Sequence, residues 1–285
     1  MAVYFLGVVL LGAVLAPILF WTAQLLARNP SLGFLARFDF ETFFHRALLV
    51  GAVVLVWPLI RWTEVRGLAD LGLRPNRHRW RHVIAGVLAA LVPLILCGLA
   101  LVIVRVYSLR PTVSLTPLAG TVLAAVFVPL IEETFFRGLV LGLLLRTRHE
   151  YFATFLSSAI FSILHFLKAP EGTSPVVTWS SGFQSIAHSL AQFSEPMLVV
   201  GGFITLFLMG WILADTRLRT ASLWLGIGLH AGWILGNGVF SKIARRQLLL
   251  LPWLGRNLLV GLIPLAVLGL TWILVRLWLA NERSD

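Results

Sequence analysis

Long apolar runs separated by short polar connectors dominate the pattern of the chain. A run of about 20 apolar residues is long enough to cross a bilayer as a helix. Such segments lie at about residues 3–27, 43–60, 82–106, 118–145, 151–168, 197–215, 220–238 and 257–279. The pattern therefore predicts an all-α fold, a polytopic transmembrane helical bundle of about eight transmembrane helices.

The connectors differ in charge, and this difference predicts the orientation of the bundle. Residues 61–81 contain six arginines, whereas residues 169–196 contain neither Lys nor Arg. Because Lys and Arg are enriched in cytoplasmic loops, we expect residues 61–81 inside the cell and residues 169–196 outside. The stretch from Phe240 to Leu254 mixes basic and apolar residues, which is typical of a helix lying in the membrane interface.

The same pattern divides the chain into three regions. Residues 1–117 contain three spans and the basic connector, and residues 118–238 contain the buried ionisable residues described below. Residues 239–285 contain the interfacial segment and a final span.

Composition excludes several classes of protein. The chain is 59% hydrophobic and 12% charged, whereas a soluble domain carries roughly a quarter charged residues. A single cysteine, Cys97, rules out a disulfide within one chain. The net charge of +11 comes mainly from residues between apolar runs, where they orient the chain and meet anionic headgroups. No basic tract is interleaved with aromatic residues, so we expect no nucleic acid as partner. The apolar runs predict a lipid bilayer as partner instead. We expect an integral protein of a bacterial inner membrane.

Five ionisable residues fall deep inside apolar segments, where each needs a partner or a function. They are Glu132, Glu133, Arg137, His165 and His230. Glu133 and Arg137 have i, i+4 spacing with the acid first, the favourable order for an ion pair. Glu132 points about 100° away around the helix and has no partner there, so it is a candidate for proton transfer.

The depths of three of these residues match. Glu132 precedes Arg146, and His165 follows Tyr151, by 14 residues in each case, or about 21 Å of helix. His230 lies roughly 16 Å from the same face. One cluster could therefore form, in which a carboxylate and an imidazole activate water and a second imidazole binds an oxyanion. The alternative is that these groups only hold helices together through polar contacts.

At these residues the sequence resembles the CAAX-protease and bacteriocin-processing family of glutamic intramembrane proteases. The family's first motif, Glu-Glu-x-x-x-Arg, matches Glu132–Arg137, and its second, Phe-x-x-x-His, matches Phe161–His165. The third, a His on a later helix, matches the surroundings of His230. The resemblance covers about residues 118–238, which would form the catalytic core.

The resemblance implies an endopeptidase similar to CAAX prenyl protease 2, acting on a membrane-embedded or lipid-anchored substrate. Glu132 would be the general base, assisted by His165, while Glu133 and Arg137 hold the geometry of the site. His230 would stabilise the oxyanion. No cofactor is implied.

One position departs from the family pattern. Many members carry Asn four residues after the third His, where this chain has Ile234, whose side chain cannot donate a hydrogen bond. Asn237, three residues further, is the candidate to replace it.

Three alternatives stay open. A zinc protease would use Glu132, His165 and His230 as ligands for Zn²⁺, although the helical signature His-Glu-x-x-His is absent. A non-catalytic member of the family could serve as a membrane immunity or scaffold protein. A transporter could use the buried carboxyl as a proton carrier, but the two broken-helix repeats typical of transporters are not visible.

Overall fold

The structure is a computed structural model of the chain. It describes residues 2–63, 65–74, 76–165, 172, 176–191, 196–248, 252–255, 258 and 260–282. The chain divides into two compact units, residues 1–65 with 163–195, and residues 66–162 with 196–285.

The first unit contains helices α1 (Ala2–Leu26), α2 (Phe40–Trp62) and α7 (Ser181–Ala191), and a 3-10 helix at Pro30–Arg37. Helices α1 and α2 pack closely through small residues. A side chain at Gly12 would collide with Leu48, because its Cβ would lie 2.6 Å from the leucine Cδ2. Phe44 is buried in the core of this unit. Helix α7 lies against α1, with Gly182 at the backbone of Ala13.

The second unit contains the remaining elements. In chain order they are α3 (Arg79–Ile103), β1 (Tyr107–Leu109), α4 (Leu115–Glu133), a π-helix (Thr134–Val140), α5 (Leu141–Leu144), a 3-10 helix (Leu145–Thr147), α6 (Glu150–His165), α8 (Pro196–Thr220), α9 (Trp224–Ile243), β2 (Ala244–Arg246) and α10 (Leu262–Glu282). The last residues of α6 pass into the first unit.

Helix α9 is the centre of the second unit, and glycines bring it against α3. A Cβ on Gly228 would lie 2.2 Å from the carbonyl oxygen of Val83, and one on Gly232 would lie 2.6 Å from that of Val87. Such small-residue faces let backbones approach where no hydrophobic effect drives helices together. On another side, α4 packs against α9, and this contact brings the ionisable residues of both helices together.

The helical class is confirmed, but the number of spans is not. Six helices of the described part are long and apolar enough to cross a membrane: 3–26, 40–62, 79–103, 115–147, 201–220 and 262–282. Two expected spans are not among them. The described residues of helix α6, Glu150–His165, number 16, which is short of the roughly 20 that a span needs. Helix α9 contains five glycines and four polar or charged residues, His230, Asn237, Ser241 and Lys242, which lower its hydropathy.

The interfacial helix expected from Phe240 to Leu254 is wrong for the described residues. Helix α9 continues to Ile243, and β2 then pairs antiparallel with β1. Tyr107 of β1 is buried there against Phe240, with ring centroids 5.0 Å apart. The exposed Arg245 and the buried Ala244 alternate as a strand requires, a period of two that a mixed basic and apolar composition does not reveal.

Candidate active site

The two neighbouring glutamates lie where one helix changes its winding. Helix α4 ends at Glu133, and the chain continues as a π-helix from Thr134 to Val140. π-helical turns are rare, and they occur frequently at functional sites. Glu132 and Glu133 therefore lie on regular helix, and Arg137 lies in the middle of the irregular turn.

Glu133 and Arg137 form the predicted ion pair. Nη1 of Arg137 donates to Oε1 of Glu133 over 3.0 Å, and both side chains are fully buried. The second terminal nitrogen of Arg137 donates to the carbonyl oxygen of Gly210 on α8 over 3.3 Å. The guanidinium is therefore held by a carboxylate and by a backbone dipole.

His230 of α9 joins this pair and also reaches Glu132. Its Nδ1 lies 2.9 Å from Oε1 of Glu133, the same oxygen that accepts from Arg137. Its Nε2 lies 3.8 Å from Oε2 of Glu132. Since a carboxylate only accepts, Nδ1 carries a proton and donates to Glu133 when that glutamate is ionised. The imidazole thus lies between two carboxylates, with Nε2 directed towards Glu132.

The two glutamates have different environments despite their adjacency. The side chain of Glu133 is completely buried, whereas that of Glu132 is 27% exposed. This difference separates a side chain that the protein encloses completely from one that is partly exposed.

An aromatic wall closes one side of the cluster. The ring of Phe161 lies 4.3 Å from the guanidinium carbon of Arg137 and meets His230 edge to face at 6.1 Å. Phe136 packs edge to face on Phe161 at 5.1 Å. A cation over a desolvated aromatic face is stabilised by up to about 2 kcal/mol, so Phe161 supports the buried charge of Arg137.

The structure describes two further predicted site residues, His165 and Asn237. His165 is the last residue of α6, is exposed and belongs to the first unit, so its predicted pairing with Glu132 stays a prediction. Asn237 lies seven residues beyond His230 on the same face of α9, or about 10 Å along the helix. Its Oδ1 has no hydrogen-bond partner among the described residues. Ile234, between them, is half-buried.

The zinc alternative requires three ligands, Glu132, His165 and His230. Glu132 and His230 lie in the second unit, and His165 belongs to the first. Among the residues that the structure describes, no group of three or more His, Cys, Asp or Glu side chains is arranged to hold a metal ion.

Sequence reasoning missed three groups that shape the site. They are the carbonyl of Gly210, the rings of Phe136 and Phe161 around Arg137, and Gly226, where a Cβ would lie 3.5 Å from Oε2 of Glu133. Only Phe161 carried a signal, through its motif. The others depend on how α8 and α9 are placed beside α4.

Apolar helices around an enclosed cluster of acids, imidazole and guanidinium define a polytopic membrane protein with a polar centre. The family model described as type II CAAX prenyl endopeptidase Rce1-like matches residues 113–236. This match confirms the resemblance to the CAAX-protease and bacteriocin-processing family over that part of the chain. No curated protein and no solved structure matches the chain.

Proposed function

We propose that this protein is an intramembrane endopeptidase that hydrolyses a peptide bond of a membrane-associated protein or peptide, with Glu132 activating the water. The observation that carries the proposal is the position of His230 between two carboxylates of unequal exposure. The match to an endopeptidase family supports the reaction class.

The separation between His230 and Glu132 suits a shared water. A water about 2.8 Å from each of two atoms bridges a gap of 3.8 Å, the distance from Nε2 of His230 to Oε2 of Glu132. The Glu132 carboxylate takes one proton as the water oxygen attacks the scissile carbonyl carbon. The same proton passes to the leaving nitrogen when the carbon–nitrogen bond breaks, so one water is consumed for each bond cleaved.

Charge balance gives His230 its role. Arg137 offsets the charge of Glu133 in the buried pair, and a protonated His230 offsets that of Glu132. With its Nδ1 proton held by Glu133, the imidazolium directs its Nε2 proton to the oxyanion that forms on the substrate. Glu133 and Arg137 are then positioning residues that orient His230. His165 stays in the proposal as the group that assists Glu132.

The test is cleavage of a library of membrane-anchored peptides in detergent by wild type and Glu132→Gln. Because a general base contributes roughly 10²–10⁴-fold, we expect kcat to fall by about that factor while thermal stability stays near wild type. Glu150→Gln, the same change at the exposed start of α6, is the matched control and should cleave normally. His165→Ala tests the assisting role.

Three results decide between the readings. Equal cleavage by wild type and Glu132→Gln would remove Glu132 as the base. Cleavage of no peptide by the folded wild type would favour the non-catalytic immunity or scaffold function. Inhibition by a strong chelator that zinc reverses would replace the metal-free mechanism with a zinc-dependent one.

A further inference from the structure

A second feature of the chain lies on the other side of α9 from His230. Helices α3 and α10 form a groove with a volume of about 800 Å³. It is lined by the apolar side chains Ile84, Leu88, Val92, Leu225 and Leu274, among others, with Arg81 and Trp278 at one end. Leu225 precedes His230 by five residues, which places the two about 140° apart around α9. The groove is therefore separate from the glutamate cluster.

The length of the groove corresponds to one leaflet of a bilayer. From Arg81 to Val92 it follows eleven residues of α3, or about 16 Å of helix. The hydrocarbon core of a bilayer is about 30 Å thick, so one leaflet is about half of that. Both α3 and α10 are candidate spans, and the groove thus runs from the first turn of α3 to the middle of that helix.

The polar end of the groove offers a cation at the depth of the lipid headgroups. Arg81 lies in the first turn of α3, 5.9 Å from the Trp278 ring, and tryptophan is enriched at membrane interfaces. Glu282 lies 3.5 Å from the Arg81 side chain and 3.2 Å from His82, and is only 18% exposed. The Arg81 side chain is 56% exposed, so the cation faces outwards and the acid is enclosed behind it.

Charge around this end favours an anion. Glu282 pairs with Arg81, but no Asp or Glu occurs between Leu71 and Ile131, whereas Arg77, Arg79 and Arg81 lie within five residues of each other. An occupant that satisfies both ends has a long apolar chain and an anionic head. We propose that the groove binds one acyl chain of an anionic phospholipid, with the headgroup phosphate at Arg81.

The test is native mass spectrometry of the full chain in a non-ionic detergent, titrated with phosphatidylglycerol or with phosphatidylcholine of identical acyl chains. One basic residue near a membrane surface raises the affinity for an anionic lipid by about fivefold. We expect phosphatidylglycerol to bind about fivefold more tightly, and Arg81→Gln to remove that preference. Arg79→Gln, the same change two residues away and outside the groove, should retain it.

A second pair of variants tests the apolar part of the groove. Ala89 lines the groove, and Ala89→Phe should fill it and lose the complexes with both lipids. Ala100→Phe adds the same ring to an exposed position of α3 outside the groove and should bind like wild type. Thermal unfolding of each variant separates lost binding from lost fold.

Several results overturn the proposal. They are equal affinity of wild type for the two lipids, equal losses in Arg81→Gln and Arg79→Gln, and normal binding by folded Ala89→Phe. Tighter binding of an uncharged lipidated peptide than of phosphatidylglycerol would assign the groove to a lipid-modified protein instead.

Discussion

Replacement of Arg137 by methionine tests the electrostatic core of the site. Methionine keeps much of the length of the side chain and removes its charge, so the change leaves the Glu133 carboxylate fully buried without its guanidinium partner. It also removes the donor to Gly210 and the cation above Phe161.

The magnitude follows from these three losses. Removing one partner of a buried ion pair costs about 3–5 kcal/mol. The lost hydrogen bond to Gly210 adds only about 0.5–1.5 kcal/mol, because that carbonyl lies inside helix α8 and keeps its helical partner. His230 still bonds Glu133 and, once protonated, offsets part of this cost. We therefore expect Arg137→Met to lower the free energy of unfolding by about 3–5 kcal/mol.

The double variant Glu133→Gln/Arg137→Met gives the sharper comparison. It removes the stranded charge together with its partner, so it should be more stable than Arg137→Met alone although it carries one more substitution. Denaturant unfolding in detergent micelles, followed by tryptophan fluorescence, measures both. Arg245→Met, at an exposed position of β2, is the control and should change stability by no more than about 0.5 kcal/mol.

Two outcomes would refute this reasoning. If Arg137→Met unfolds like the Arg245→Met control, the ion pair does not stabilise the fold. If the double variant is less stable than Arg137→Met, the cost comes from lost contacts of the side chains and not from an uncompensated charge.

Two further predictions concern backbone packing, and the same unfolding measurement checks them. Gly228→Ala places a Cβ 2.2 Å from the Val83 carbonyl oxygen, so it should lower the free energy of unfolding by about 1–3 kcal/mol. Gly120→Ala, with open space around it, is the control and should be neutral or raise stability by up to about 1 kcal/mol. Equal effects of the two substitutions would contradict the role of the glycine face. Gly72 has φ +86° and lies next to the Arg217 guanidinium. Gly72→Ala should therefore lower the free energy of unfolding by at least about 1–2 kcal/mol. An unchanged unfolding midpoint would show that the turn relaxes.

Local geometry explains what could be predicted from the sequence. The Glu133–Arg137 pair depends only on neighbouring turns of one helical stretch, so its spacing was sufficient. The bond from His230 to Glu133 was not predicted, because it depends on how α4 and α9 are rotated about their axes. Only Ala125, Pro129 and Glu133 of α4 are buried. Because side chains that face lipid are as apolar as those that face another helix, no apolar periodicity fixes that rotation.

Two other features could not be predicted from the sequence pattern, for related reasons. The pairing of β1 with β2 joins segments of three residues each that are more than 130 positions apart, and no local property of either segment specifies its partner. The sequence contains the glycines of α9, but only the structure shows that Gly228, Gly232 and Gly236 face α3.

The π-helix has a consequence for how the chain tolerates insertions and deletions. Each residue of an α-helix advances the chain by about 100° and 1.5 Å. If one residue were lost between Thr134 and Val140 and the turn became α-helical, every later position up to Thr147 would rotate by about that angle relative to Glu132 and Glu133. Gly138, which leaves room for the Leu71 backbone, would then face a different neighbour. The number of residues in this turn, as much as their identity, therefore keeps one end of the helix aligned with the catalytic candidates and the other with its packing partner.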